Sequence, residues 1–342
     1  MEDVDYRTLS KLNQSLLKEI LISPKAFLDA KARYESPKES TEEHFVFGSM
    51  VDIMLTGTKK EFDEKFYRIP DDIKCTDSIR AIVTDVYDVV KDSVELKNMS
   101  EYKQEILLSC KQFDYQPNWK DDTRVEKIIA LGSGYFNILA ASGNKIKVTE
   151  KEYANAVACK MALQSDPYTR FYVDRKLDRN TEFLDKVIVE FDVDDLEIKG
   201  ELDRVVINHS TKTIYPIDFK TTSKPVSSFE SSFWFFRYDF QAATYMAGII
   251  KHPTIEDLMT KGYKLDSFKF IVVEKDLRNN PMIFQVGNQA LQIGYMGGEL
   301  SNGKSLEGLL QAVARYQYAE ENDHWQYPME YYQNQGNIFI EP

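Results

Sequence analysis

The stretch Leu196–Thr222, LEIKGELDRVVINHSTKTIYPIDFKTT, decides the fold. Apolar and β-branched residues fill both of its halves, and the polar residues His209, Ser210, Thr211 and Lys212 separate them. It therefore reads as two strands, Leu196 to Ile207 and Thr213 to Thr221, joined by a tight turn. Side chains alternate along a strand, so Asp218 and Lys220 share one face while Ile217, Phe219 and Thr221 share the other. If residues 209–212 form a four-residue hairpin loop, Asn208 pairs with Thr213, and the register sets Asp203 across from Asp218. Like charges placed opposite each other in a strand pair are destabilising unless compensated, and a hard divalent cation is the natural compensation. A slip of one residue would send Asp203 to the other face. The plainer alternative is a surface hairpin in which Lys220 simply pairs with Asp218.

Working outward, FLDKVIVEFD at Phe183 to Asp192 adds a strand before the turn Val193-Asp194-Asp195, making an antiparallel meander. Beyond it come a predicted helix from Phe233 to Ile250 and a further strand at Ser267 to Val273. Upstream, helical spacing from Ser10 to Tyr34 predicts two short helices joined at Ser23-Pro24, and further helices over Gly48 to Leu55, Asp77 to Val94, Glu101 to Phe113 and Val125 to Leu131. Thr149-x-x-Glu152 has the form of a capping box opening a helix to Leu163. The tail from Gln289 to Tyr318 also reads as helix. The expectation is one domain over 1–342: a mostly helical N-terminal region over 1–145, a core over 146–290 with a mixed sheet flanked by helices, and a helical tail over 291–342.

Composition bounds the function. A net charge of -12 argues against a protein that grips nucleic acid through a blanket of positive charge, but it leaves room for a metal-dependent enzyme whose acidic cluster is negative until loaded. Cys75, Cys110 and Cys159 lie too far apart for a C-x-x-C site or a disulfide framework, which fits a reducing cytoplasm. The opening MEDVDYRTLSKLNQ has neither the basic start nor the apolar run of an export signal. No apolar stretch is long enough to span a bilayer, so no membrane partner is expected. His44, His209, His252 and His324 are scattered without zinc-ligand spacing.

GELDRVV, then IDFKTT, then QAATY resembles the branch of the PD-(D/E)XK nuclease superfamily that holds the RecB nuclease domain, phage lambda exonuclease and the RecE-type exonucleases. The resemblance rests on Gly200 and Asp203 on one strand, Asp218 and Lys220 on the next, and Gln241 and Tyr245 on the following helix. It extends loosely to LNQSLLKEILISPKAFL near the start, to the glycine-led helix Phe47-Gly48-Ser49-Met50-Val51-Asp52, and to ALQIGYMGGEL with Trp325 near the end. It implies an α/β, restriction-endonuclease-like core and a Mg2+-dependent DNA exonuclease, with Mn2+ as a substitute ion. Asp203, Asp218 and the Phe219 carbonyl would hold the metal, Lys220 would serve the attacking water, and Gln241 and Tyr245 would position DNA.

Two positions depart from the pattern. Asp52 stands where this branch usually has a metal-binding histidine, although aspartate also ligates hard cations. Leu202 replaces the proline of the superfamily's name. Glu182 and Glu190 are both candidates for a further acid. Lys224, Arg237 and Tyr238 are candidates to touch DNA, whereas most of the aromatic run Phe233 to Phe236 reads as a face packed on the sheet. Such a protein would act on duplex ends or single strands in phage or prophage recombination, alongside a single-strand annealing protein, and the resemblance also allows a homo-oligomer. The competing readings are a single-strand or flap-specific repair nuclease and an inactive nuclease fold that only binds DNA. Gly298 to Ser305 matches G-x-x-x-x-G-K-[ST] letter for letter, but no strand precedes it and no large α/β core follows, so a polar turn is expected there instead.

Overall fold

A computed structural model describes residue 6 and residues 10–35, 43–70 and 75–340. Residues 1–5 and 7–9, which carry much of the case against an export signal, lie outside the described residues. Where the sequence reads as one domain, the chain divides into two compact units, Met1–Gly57 with Val157–Pro342, and Thr58–Ala156.

The first unit is built on the meander. Thr181–Val193, Leu196–Asn208 and Thr213–Thr222 run antiparallel in sequence order. Asn208 pairs with Thr213 across a four-residue loop, as the register argument requires, and its side-chain carbonyl accepts from the Ser210 and Thr211 backbone N–H groups. The preceding turn is two residues, Asp194 and Asp195, both with positive φ, the geometry that matches strand twist in a tight hairpin. Thr213–Thr222 then pairs in parallel with Lys269–Glu274, which pairs antiparallel with Met282–Gln285. Leu12–Asn13 and Lys264–Leu265 add short parallel strands, so that seven strands form this mixed sheet among the described residues. The Leu12–Asn13 strand begins where helix was expected, and Asn13 caps the helix that follows by accepting from Leu16 N–H.

Helices cover the sheet. Val187, Val189, Leu202, Val205 and Ile207 pack with Ala242, Tyr245 and Ile249 in one core cluster. Leu16, Leu17, Ile20 and Phe27 join Phe191, Ile198, Phe240, Leu309 and Val313 in another. Trp325 stacks on Phe27 at 5.6 Å, which ties the C-terminal region to the N-terminal helices. The helix expected from Phe233 to Ile250 is two, Phe229–Phe235 and Tyr238–Ile249, broken at Arg237, whose φ is +58°. The helix expected over the tail is likewise two, Asn288–Met296 and Leu309–Asn322. Between them Gly298–Glu299 and Ser305–Leu306 form a small hairpin, so the phosphate-loop look-alike lies in a β-turn and opens no helix.

The second unit is helical around one core of its own. Asp77–Val90, Lys103–Gln112 and the long Asp121–Ser142 bury Ile79, Ile82, Val83, Val86, Ile106, Ile128 and Phe136 together. Phe66–Ile69 and Ile146–Thr149 close it with a parallel strand pair. No helix among the described residues is long and apolar enough to cross a membrane.

Candidate active site

The two carboxylates meet where two strands part. Pairing between Leu196–Asn208 and Thr213–Thr222 stops at Arg204 and Ile217, one step short of Asp203 and Asp218. The backbone beyond that point needs another partner, and Asp203 supplies it: its Oδ2 accepts from Phe219 N–H at 2.9 Å. Asp218 is 3% exposed, and its Oδ2 lies 2.6 Å from the Lys220 ammonium. That oxygen nonetheless receives no well-directed hydrogen bond. Its other oxygen accepts from Gln241 Nε2 at 2.8 Å. The Tyr238 ring lies under Lys220, 4.8 Å from its nitrogen.

The helix Tyr238–Ile249 carries Gln241 and Tyr245 one turn apart, on the same face. Gly200 lets that helix approach, since a Cβ there would stand 3.0 Å from the Tyr245 ring. Asp203, Asp218, Phe219, Lys220, Gln241, Tyr245 and Tyr238 all line one cleft of about 1230 Å³. Lys11, Lys31, Arg33, Lys186 and Lys220 line it too, but so do Glu19, Glu35, Asp52, Glu201, Asp203 and Asp218. The cleft is therefore mixed in charge rather than basic.

Burial pushes the Asp218 carboxyl up to about 7, with the Lys220 ammonium pulling against it and the Asp203 charge adding to it. Burial also disfavours the Lys220 charge, but the attraction of Asp218 prevails and holds that group above its ordinary value. Burial and Asp203 likewise raise Asp52 against the pull of Lys186. For both carboxyls burial is the leading cause and the Asp203 charge adds to it.

The remaining candidates divide. Asp52, on the helix Glu43–Thr56, reaches the cleft, where the Lys186 ammonium contacts both of its oxygens. Glu182 instead meets His209, and Glu190 pairs with Lys11; neither lines the cleft. Arg237 is spent on Asp239 and the Glu307 carbonyl, and Lys224 also lies outside the cleft lining. The aromatic run behaves differently from its expected packing, for Phe233 is buried while Phe235 is 78% exposed and Phe236 is also open. Both border the site through Phe236, whose ring lies 5.8 Å from that of Tyr238.

Sequence reasoning missed two residues. Arg204, fully buried, pairs with Asp185 and donates to the Leu55 and Tyr172 carbonyls, thereby fastening the end of the Asp52 helix to the meander. Lys186 was legible in principle. Counting back through the two-residue turn at Asp194-Asp195 places it opposite Asp203.

Residues 137–287 match the family model of the PD-(D/E)XK nuclease superfamily. The match spans the meander and the helix Tyr238–Ile249, and so takes in Asp203, Asp218, Lys220, Gln241 and Tyr245. The chain's mixed sheet with flanking helices is the restriction-endonuclease-like arrangement of that superfamily. The chain is also similar to a solved structure described as "Putative exonuclease" from Eubacterium rectale, at 12% identity and a TM-score of 0.36, covering 83% of this chain and 92% of that one. No curated protein matches the chain.

PD-(D/E)XK nucleases are generally dependent on divalent metal, so the donor set can be tested for fit. Among the described residues no three histidine, cysteine, aspartate or glutamate side chains form a ready-made metal cluster. Mg2+ needs none, because it takes one or two carboxylates and completes its shell with water and substrate phosphate. The buried Asp218 Oδ2, which faces the Lys220 ammonium, and the neighbouring Asp203 carboxylate are donors of that kind. The residues of this site fit a divalent ion.

Proposed function

We propose that the protein is a Mg2+-dependent DNA exonuclease that hydrolyses phosphodiester bonds from DNA ends. The observation that carries this reading is the meeting of Asp203, Asp218, Lys220 and Gln241 in one cleft, with Asp218 Oδ2 lacking a directed partner. Asp203, Asp218 and the Phe219 carbonyl are the groups that would hold the ion, with Mn2+ as a substitute. When bound, that ion supplies Lewis-acid stabilisation of the phosphate and lowers the pKa of water.

The chain's own residues do the rest. Lys220, fixed between Asp218 and the Tyr238 ring, offsets charge that grows on the phosphate and orients the attacking water. Gln241 holds the Asp218 carboxylate in place from the helix, and Tyr245 lines the same cleft beside it. The exposed pair Phe235 and Phe236 offers unpaired bases a stacking surface next to Tyr238. The flanking resemblance to RecE-type exonucleases supports a role in phage or prophage recombination within the cytoplasm, supplying single strands to an annealing protein.

An acidic protein has little electrostatic hold on internal duplex, which favours engagement at a terminus. The test compares end-labelled linear duplex with a covalently closed circle, each with Mg2+ and with a chelator. Progressive loss of the linear duplex only when Mg2+ is present, with the circle intact, is expected. Rapid cutting of the circle would make the protein an endonuclease, and cleavage undiminished by chelator would remove the metal from the account.

A further inference from the structure

Among the groups that line the cleft, Lys186 has the least ordinary setting. It lies in the middle of the Thr181–Val193 strand, yet its φ is +50°, a left-handed conformation that a side chain with a Cβ adopts only at a cost. Asp185 pairs with Arg204 and Val187 with Leu202, so the register places Lys186 opposite Asp203, although no ladder pair forms at Lys186 itself. Its ammonium lies 2.8 and 2.6 Å from the two oxygens of Asp52 and 3.0 Å from Asp203 Oδ1. Asp52 comes from a helix and Asp203 from a strand, and one lysine nitrogen bridges them.

We propose that Lys186 is a built-in counter-cation: its ammonium holds the Asp52 and Asp203 carboxylates together, and a divalent ion taken up on Asp203 would compete with it and displace it. The inference rests on the reading of Asp203 as a metal ligand. Two facing carboxylates without a cation between them repel, so a metal-free site needs a positive charge to stay assembled. A metal ion and an ammonium compete for the same carboxylate oxygens and repel each other at such range. Lys220 does not share this role, because it contacts Asp218 and is enclosed by Tyr238 and Phe270, whereas Lys186 is one-third exposed and has the cleft to move into. Lys186 therefore sets how much free metal the site requires, and Asp52 gains a function as its anchor.

A purely structural bridge predicts the opposite response to removal of the lysine, since loosening Asp52 and Asp203 would leave metal binding unchanged or weaken it. The experiment is calorimetric titration of the full chain, without DNA, with Ca2+, comparing the wild type with Lys186→Gln. The variant should bind Ca2+ about tenfold tighter or more, and its melting temperature should fall without metal and recover with it. Reductive methylation of the wild-type protein, read by mass spectrometry, supplies a second measurement that needs no variant: Lys186 should label severalfold faster once Ca2+ is added. Equal or weaker Ca2+ binding by the variant would overturn the proposal, and so would metal-independent labelling if the variant failed to fold. If the wild type bound no Ca2+ at all, the reading of Asp203 as a metal ligand would fall and the proposal with it, whereas wild-type binding without a gain in the variant would remove only the role of Lys186.

Discussion

At Lys220 a single nitrogen faces a buried carboxylate 2.6 Å away and an aromatic ring beneath it. A plain surface hairpin with alternating charges would leave such a pair in water, where it contributes little. Here the pair is enclosed beside a carboxylate that already holds Phe219 N–H. On the proposed function, a lysine so placed acts on charge that appears as the phosphate reacts. Lys220→Ala should therefore lower turnover by about a hundredfold or more, while Ca2+ binding measured by calorimetry is retained. Loss of Ca2+ binding together with turnover would instead make Lys220 a strut for Asp218.

At the scale of elements, the helix Tyr238–Ile249 sets the site by leaning on Asn288–Met296, and the two touch at a glycine. A Cβ on Gly294 would stand 2.1 Å from the Asp239 carbonyl oxygen and 2.9 Å from Phe240 N, backbone atoms that cannot step aside without moving the helix that carries Gln241. Gly294→Ala should cost about 1–3 kcal/mol in urea unfolding and lower activity with it; unchanged stability would show that the helices separate freely. At the end of the neighbouring strand Lys269–Glu274, beside Thr222, Glu274 accepts from Val226 N–H and from both nitrogens of Asn279, anchoring the loop that follows Thr222. Burial pushes its carboxyl up, but these hydrogen bonds prevail and hold it below its ordinary value. A depressed folded-state pKa gives stability that is present above the unfolded pKa of about 4.3 and lost as pH falls through the lower folded value. Urea midpoints of the wild type should therefore drop more steeply below about pH 5 than those of Glu274→Gln, and parallel profiles would contradict this.

The same elements show what could be read beforehand. Loop lengths at Asp194-Asp195 and at 209–212 specify register, and register carries Asp203 to the edge of Asp218, because strand periodicity is rigid. The break at Arg237 was not legible, since left-handed backbone at an arginine has no local signal and is held by Asp239 and the Glu307 carbonyl, one of them far away in sequence. The tail hairpin was hidden for a related reason: Gly297 and Gly303, at positive φ, interrupt an otherwise helical apolar spacing. Arg204 reads as a surface charge until the carbonyls of Leu55 and Tyr172 are brought to it by tertiary packing.

Over the whole molecule, a net charge of -12 and a cleft lined by both signs leave little long-range attraction for DNA. On the proposed function, productive binding would then depend on cation uptake at Asp203 and Asp218, which would make metal and substrate partners in one step. Asp218 is where the terms meet: it is buried, short of a directed donor, and held by both Lys220 and Gln241. The most direct measurement is the release of nucleotides from linear duplex DNA in Mg2+ by the wild type and by Asp218→Asn, an isosteric change that keeps the shape and removes the charge a hard cation requires. The account predicts release by the wild type and none above background by a variant with the same melting temperature in the absence of metal; release at the wild-type rate by that variant would contradict it.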